Sequence, residues 1–300
     1  MNRAPLFDEL LARLAAELKT LPDKPEETPE STLRALWHAA AGAPKSAELA
    51  CRAELPALNE TGEAALRELV QRRLGGVPLA HITRRQRFAD LEMLAGPEAL
   101  VPRKETELLA RSAIELATEM TSRRGAITAI DVCTGSGNVA LAFAHHVPGA
   151  RVHAADLSET AVDLARRNQR HLGLDGRAEF RAGDLLAPFD TAEFHSAVDL
   201  LTCNPPYIAS AKVREMPGEI AGHEPSLAFD GGMFGVAILL RLIQDAPRFL
   251  RRGGWLACEV GLGQGPILVK QLGKNPAFAD VRTAVDHAGM VRVVMARASD

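Results

Sequence analysis

The sequence predicts an α/β protein in which helices wrap a mostly parallel sheet, with a small helical domain ahead of the sheet and a hairpin linker between them. Three observations carry this prediction. Leucines near the start recur at helical spacing, Gly75-Gly76 and Pro78 interrupt that pattern, and beyond Glu105 short apolar runs alternate with helical ones.

Leu6, Leu10, Leu11, Leu14 and Leu18 share one side of a helix, so Leu6 to Leu18 reads as amphipathic. A loop rich in Pro, Glu and Thr follows from Leu21 to Pro29. Ser31 to Ala41, around Trp37, and Thr61 to Leu74, with Leu66, Leu69, Val70 and Leu74 on one face, predict further helices. Residues 1–75 are therefore expected to form a helical domain. Gly75-Gly76 and Pro78 stop its last helix, and Leu79 to Val101 alternates apolar and polar runs as a hairpin does, which makes residues 76–104 a linker. Glu105 to Thr118 returns to helical periodicity. Strands are expected at Ile127–Cys133, Val152–Leu157, Ala178–Ala182, Val198–Cys203 and Trp255–Val260, with helices at Val139–His146, Ala161–Leu172 and Val236–Leu250. Val281–Val285 and Val291–Met295 leave little room for a helix between them and predict an antiparallel pair at one sheet edge.

The chain has 300 residues, with 35 Lys and Arg against 38 Asp and Glu, a formal net charge of −3. That balance offers no basic field for a nucleic-acid backbone and counts against DNA as substrate. Cys51, Cys133, Cys203 and Cys258 are scattered without a Cys-x-x-Cys pair, so neither a disulfide framework nor a zinc site is expected. No apolar stretch approaches the ~20 residues that span a bilayer, and the first residues lack a signal-peptide core. A soluble, reducing, cytoplasmic setting without membrane contact is the expectation.

The only tyrosine, Tyr207, closes the tetrapeptide Asn204-Pro205-Pro206-Tyr207 after an apolar run. An amide or exocyclic amino nitrogen is a poor nucleophile because its lone pair is delocalised. It reacts only when two acceptors hold its hydrogens and the lone pair faces the electrophile. The Asn204 side-chain oxygen and the Pro205 carbonyl are two such acceptors on a turn stiffened by consecutive prolines, and Tyr207 adds a flat face. Upstream, Asp131-Val132-Cys133-Thr134-Gly135-Ser136-Gly137-Asn138 is a small-residue turn between a strand and a helix, where a nucleotide-like ligand meets bare backbone. Together the two segments read as a methyl-transfer site.

In these motifs the chain resembles the HemK-type protein glutamine N5-methyltransferases, which use S-adenosylmethionine. The ordered set also includes Pro102-Arg103-Lys104-Glu105-Thr106-Glu107, Asp156-Leu157-Ser158, Gly183-Asp184-Leu185-Leu186, His223-Glu224-Pro225-Ser226-Leu227-Ala228, Gly253-Gly254 before Glu259-Val260-Gly261, and Asp286-His287-Ala288-Gly289. The resemblance covers most of the chain. It implies a Rossmann-like S-adenosylmethionine-dependent methyltransferase sheet over residues 105–300, yielding S-adenosylhomocysteine. It also implies a protein substrate, the Gly-Gly-Gln loop of a peptide-chain release factor. By the same resemblance Asn204, Pro205 and Tyr207 are catalytic, and Pro206, Arg103 and Glu105 contact substrate. Asp131, Cys133, Thr134, Gly135, Gly137, Asp156, Leu157, Asp184, Leu185 and Asn204 contact the cofactor. Asp156 would hold the ribose hydroxyls and Asp184 the adenine edge. Cys133 stands where relatives often have the first glycine of the loop. In the hinge, relatives commonly carry an aromatic near His81, glycines at Arg84 and Asp90, and proline at Lys104.

Plainer roles compete at several positions. Glycines such as Gly135 and Gly137 serve any strand-to-helix turn, and Asp156 is a potential helix cap, although Ser158 is the better one. His145 and His146 end a helix, where facing solvent is their commoner role. His223, Glu224 and Glu219 lack a third clear ligand and make a poor zinc site. Ile208 to Gly232, rich in Pro, Gly and charge, reads as an active-site cover. Arg72, Arg73, Arg84, Arg85 and Arg87 read as a solvated basic face rather than a contact for an RNA-binding partner.

Other functions weigh against the leading one. His223-Glu224-Pro225 leans toward a relative that methylates a ribosomal protein, whereas Glu105-Thr106-Glu107 and Asp286 to Val294 lean toward the release-factor enzyme. The hinge departures favour a paralogue acting on a small amide, amine or carboxylate. An adenine methyltransferase shares the Asn-Pro-Pro-Tyr chemistry but needs a basic recognition face and a means of flipping the base. A binding module would hold cofactor without turnover, and the intact turn argues against it.

Overall fold

The structure, a computed structural model, describes residues 4–208, 219, 222–229 and 235–299. Its first part is helical: α1 (Ala4–Glu17), α2 (Pro29–Ala40), α3 (Ala47–Arg52), α4 (Glu60–Leu74) and α5 (Leu79–Thr83). The helical leucine spacing places Leu10, Leu14, Leu33, Leu36, Leu66 and Val70 around Trp37 in one core. Each such side chain contributes about 1.5–3 kcal/mol by burial. Trp37 satisfies its indole N–H on the Pro56 carbonyl at 2.9 Å. Thr28 and Asn59 cap α2 and α4 by accepting the backbone N–H of Ser31 and Gly62.

The linker differs from the expected hairpin over Leu79 to Val101. Its first residues form α5, and only β1 (Arg85–Phe88) and β2 (Leu91–Leu94) pair. Ala89 and Asp90 make the two-residue turn with φ of +44° and +69°, and Arg84 leaves α5 at +58°. Two of the hinge departures, Arg84 and Asp90, thus keep a left-handed backbone that glycine adopts more easily.

The remainder is one seven-stranded sheet. Its elements are α6 (Thr106–Arg124), β3 (Ile127–Val132), α7 (Asn138–His146), β4 (Ala150–Asp156), α8 (Glu159–His171), β5 (Ala178–Ala182), β6 (Val198–Cys203), α9 (Ala237–Phe249), β7 (Leu250–Glu259), α10 (Gly265–Lys274), β8 (Phe278–Val285) and β9 (Val291–Ala298). The strand order is β5-β4-β3-β6-β7-β9-β8. Pairs from β5 to β7 are parallel, and β9 is antiparallel to both β7 and β8, so the closing pair lies at one edge as expected. This is a Rossmann-like α/β architecture with both faces covered. Side chains from α6, α7 and α8 pack on one face, and those from α9 and α10 on the other. The sheet alternates accordingly: Leu200 and Ala257 belong to the first core, Leu201 and Leu256 to the second.

β7 begins five residues earlier than Trp255, at Leu250. Gly253, at φ +73°, and Gly254 form an irregularity within the strand, opposite Val198 and Leu200. A Cβ on Gly254 would stand 2.9 Å from the Val198 carbonyl oxygen. Among the described residues no helix is long and apolar enough to cross a membrane.

A buried ion network fastens the helical part to the chain that follows the Asn-Pro-Pro-Tyr turn. Arg73 meets Glu27 and Glu219, both at 2.9 Å, and Lys24 meets Glu219 at 3.0 Å. Arg73 is 2% exposed. It therefore leaves the solvated basic face assigned to it from sequence, because its partners come from the α1–α2 loop and from far along the chain. Burial pushes the Glu27 carboxyl up, whereas at Glu219 burial is outweighed by Lys24 and Arg73 and the pKa is lowered. Arg73→Ala leaves the buried Glu27 carboxylate without its ion-pair partner and Glu219 with Lys24 alone, and is expected to cost about 3–5 kcal/mol of stability, read as a drop in the urea midpoint.

Candidate active site

The C-terminal ends of β3, β4, β5 and β6 open onto a cleft of about 1120 Å³ of empty space, mouth included. Asp131, the penultimate residue of β3, anchors it. Its carboxylate accepts the hydroxyls of Thr134 at 2.6 Å and of Thr202, its partner on β6, at 2.7 Å. Burial pushes its pKa up to about 6, against the pull of those two hydroxyls. The next turn carries Cys133 at φ +57°, so the backbone adopts the glycine conformation with cysteine in place. Cys133, Thr134 and Gly135 line the cleft, and a Cβ on Gly135 would meet open space. Gly137 does not line it. At φ +80° it packs against Ala165, Leu141 and Phe180, where a Cβ would lie 3.0 Å from Ala165, so this glycine seats α7 close to α8 and β5.

Asp156 ends β4 and accepts the Gly135 N–H at 2.8 Å and the Ser158 N–H at 2.9 Å. Ser158 itself caps α8. Each Asp156 oxygen thus has one backbone donor and lone-pair capacity left over. Leu157 and Leu185 flank the cleft, and Leu157 is 57% exposed, unusual for a large apolar side chain. Asp184 stands at the rim, paired with Arg241 at 2.6 Å. Asn168, fully buried, bonds both Leu94 of β2 and the Ser136 carbonyl, tying the hairpin to this loop.

The Asn-Pro-Pro-Tyr turn follows β6 and separates the cleft from a second pocket of about 630 Å³. Asn204 lines both, Pro206 only the first, Pro205 and Tyr207 only the second. Asn204 donates its Nδ2 to Thr106 Oγ1 at 3.1 Å. Neither its Oδ1 nor the Pro205 carbonyl takes part in any hydrogen bond among the described residues. Tyr207 donates its hydroxyl to Glu105 at 3.0 Å, and Arg292 pairs with the same carboxylate at 2.9 Å with its guanidinium 5.9 Å from the ring centroid. Burial raises the Tyr207 hydroxyl well above its ordinary pKa, so it stays neutral. The Tyr207 carbonyl accepts Gln264 Nε2 at 2.9 Å. Gly235 is required beside it, since a Cβ there would fall 2.1 Å from that oxygen.

Arg103 joins the two pockets. It meets Glu224 at 2.8 Å and Asp23 of the α1–α2 loop at 3.1 Å, and Glu224 also accepts the Val101 N–H. Glu219 and Glu224 are therefore committed to separate cations, which removes them from a shared metal site with His223. Most of the expected cover from Ile208 to Gly232 lies outside the described residues. His145 and His146 are exposed, and His146 meets the Ala89 carbonyl at 3.1 Å. Sequence reasoning gave no role to Thr106, Glu259, Gln264, Thr202 or Asp23. The available signal for Glu259 was an acid near the end of an apolar run that reads as a buried strand.

The Methyltransferase small domain family matches residues 110–221. The chain is 36% identical over 241 residues to the release factor glutamine methyltransferase of Gloeobacter violaceus, covering 80% of this chain and 82% of that one. It is 35% identical over 271 residues to that of Bradyrhizobium diazoefficiens, covering 90% and 89%. The chain belongs to the release factor glutamine methyltransferase family. It is thus a methyltransferase dependent on S-adenosylmethionine. Among solved structures, the hMettl16 catalytic domain in complex with the MAT2A 3'UTR hairpin 6 is similar at 16% identity and a TM-score of 0.54, covering 70% of this chain and 76% of that one. That likeness is one of fold.

The residues at the sheet edge fit the cofactor. The spare lone pairs of Asp156 suit a ribose diol, Leu157 suits an adenine face, and the open space over Gly135 admits the methionine end. Asp156→Ala should weaken S-adenosylmethionine binding by about 1.5–3 kcal/mol, measured by calorimetry. Unchanged affinity would remove Asp156 from the site.

Proposed function

We propose that this chain methylates the side-chain nitrogen of a glutamine in a protein, the Gly-Gly-Gln loop of a peptide-chain release factor in the cytoplasm. The observation that carries this reading is Asn204 at the junction of the two pockets, with its Oδ1 and the neighbouring Pro205 carbonyl unbonded among the described residues. Two acceptors on a rigid turn match the two hydrogens of a primary amide. S-adenosylmethionine supplies, when bound, a methyl carbon on a positively charged sulfur.

The turn does the aligning. Asn204 and Pro205 hold the amide hydrogens so that the nitrogen lone pair faces the cleft, and as positive charge develops on nitrogen the same oxygens stabilise it. Tyr207, neutral and fixed by Glu105, offers its ring to the planar amide. No base is needed before attack, because the proton leaves after the charge has formed.

The helical part supports a protein acceptor. Asp23 lines the second pocket and pairs with Arg103, while Lys24 and Arg73 grip Glu219, downstream of the turn. A macromolecule touching the helices is thereby linked mechanically to the pocket.

Asn204→Ala is expected to lower single-turnover transfer to a release factor on the order of 10²–10³-fold, with little change in cofactor affinity. The assay uses saturating labelled S-adenosylmethionine and a variant shown to be folded. Near-normal transfer would reduce Asn-Pro-Pro-Tyr to a structural turn and end the glutamine-amide mechanism.

A further inference from the structure

Glu259 ends β7 beside the strand that carries Asn204; Cys258 and Cys203 pair across the ladder, so the two residues leave it side by side. Glu259 is 1% exposed, and among the described residues neither of its oxygens closes a hydrogen bond. A carboxylate so placed is costly unless it acts on a neighbour. The hydroxyl that bears on it most is that of Thr106, at the start of α6, which stands close enough to oppose the effect of burial without closing a full hydrogen bond. The Thr106 hydroxyl accepts Asn204 Nδ2, and its own proton goes to no other described acceptor. Burial pushes the Glu259 pKa up to about 7, and the Thr106 hydroxyl is the strongest influence opposing that rise. The other groups facing Glu259 are Glu105 on the α6 side, which raises it, and Arg292 of β9 and the Tyr207 hydroxyl, which lower it.

An asparagine amide has two ends of similar size and opposite polarity, and its orientation is decided by what it meets. A hydroxyl that points its proton elsewhere presents only a lone pair and selects the NH₂ end. We propose that Glu259 is a positioning residue: as a carboxylate it draws the Thr106 proton toward itself, so that Asn204 must place its NH₂ on Thr106 and its oxygen toward the acceptor. This rests on the reading that the Asn204 oxygen aligns the nucleophile. A protonated Glu259, or a glutamine in its place, can donate to Thr106, whose proton then turns to Asn204 and selects the opposite orientation.

The test is single-turnover methyl transfer from saturating labelled S-adenosylmethionine to a release factor, followed from about pH 6 to 9. In the unaltered enzyme the rate should rise with pH through about 7, as Glu259 ionises. Glu259→Gln should be slower, on the order of 10–100-fold above that pH, and should lack this rise while binding cofactor normally. Thr106→Val should lose as much, Thr106→Ser should retain most of the rate, and the Thr106→Val/Glu259→Gln double variant should be no worse than either single one.

A Glu259→Gln enzyme with the original rate and pH profile would overturn the proposal, as would losses that multiply in the double variant. If Glu259→Gln fails to fold, the Thr106 pair decides: full turnover by Thr106→Val, or no recovery in Thr106→Ser, refutes it. Asn204→Ala in the same assay separates the two levels. An inactive Asn204→Ala beside a normal Glu259→Gln defeats only the positioning role, whereas an active Asn204→Ala defeats the reading beneath it.

Discussion

Asp131 and Thr202 face each other across the parallel pairing of β3 and β6, and the threonine hydroxyl closes onto the buried carboxylate at 2.7 Å. Both strands end within two residues of that bond, one in the Cys133–Gly137 turn at the cleft and the other in Asn-Pro-Pro-Tyr. Their separation is therefore fixed by a ladder and a charge-assisted hydrogen bond rather than by loop conformation, which suits a reaction sensitive to small misplacements. Thr134 completes the anchor by bonding the other oxygen of Asp131.

The turn is then held from three further sides. Thr106 of α6 takes the Asn204 NH₂, Gln264 takes the Tyr207 carbonyl, and Glu105 takes the Tyr207 hydroxyl. Two consecutive prolines already remove most of its backbone freedom. Among the described residues the Asn204 and Pro205 oxygens remain unbonded, as the proposed amide acceptor requires. Arg103, with Asp23 on one side and Glu224 on the other, extends this rigid frame to the helical part.

Much of this was legible in the sequence wherever chemistry and position are local. Hydrophobic period gave the sheet and its antiparallel edge, and the two turns named themselves through glycine, proline and asparagine. Cys133 departs from the usual glycine, yet its φ of +57° shows that the surrounding strand end, more than the residue, dictates the conformation. The illegible parts depend on distant partners. Arg73 looked solvated because Glu219 lies 146 residues away. Gly253-Gly254 fell outside the strand expected from Trp255, because the strand opposite, whose carbonyl leaves no room for a side chain at Gly254, is not evident from the local sequence. Thr106 and Glu259 had no assigned role until β6, β7 and α6 were seen to meet.

On the proposed function, the Asn-Pro-Pro-Tyr turn presents two acceptors to a primary amide of a protein. Mass mapping of a release factor after incubation with the enzyme and labelled S-adenosylmethionine tests it most directly. One methyl group is expected, on the side-chain nitrogen of the glutamine in the Gly-Gly-Gln loop. Methyl found on another residue type, or a folded and cofactor-loaded enzyme that leaves that glutamine unmodified, would contradict it.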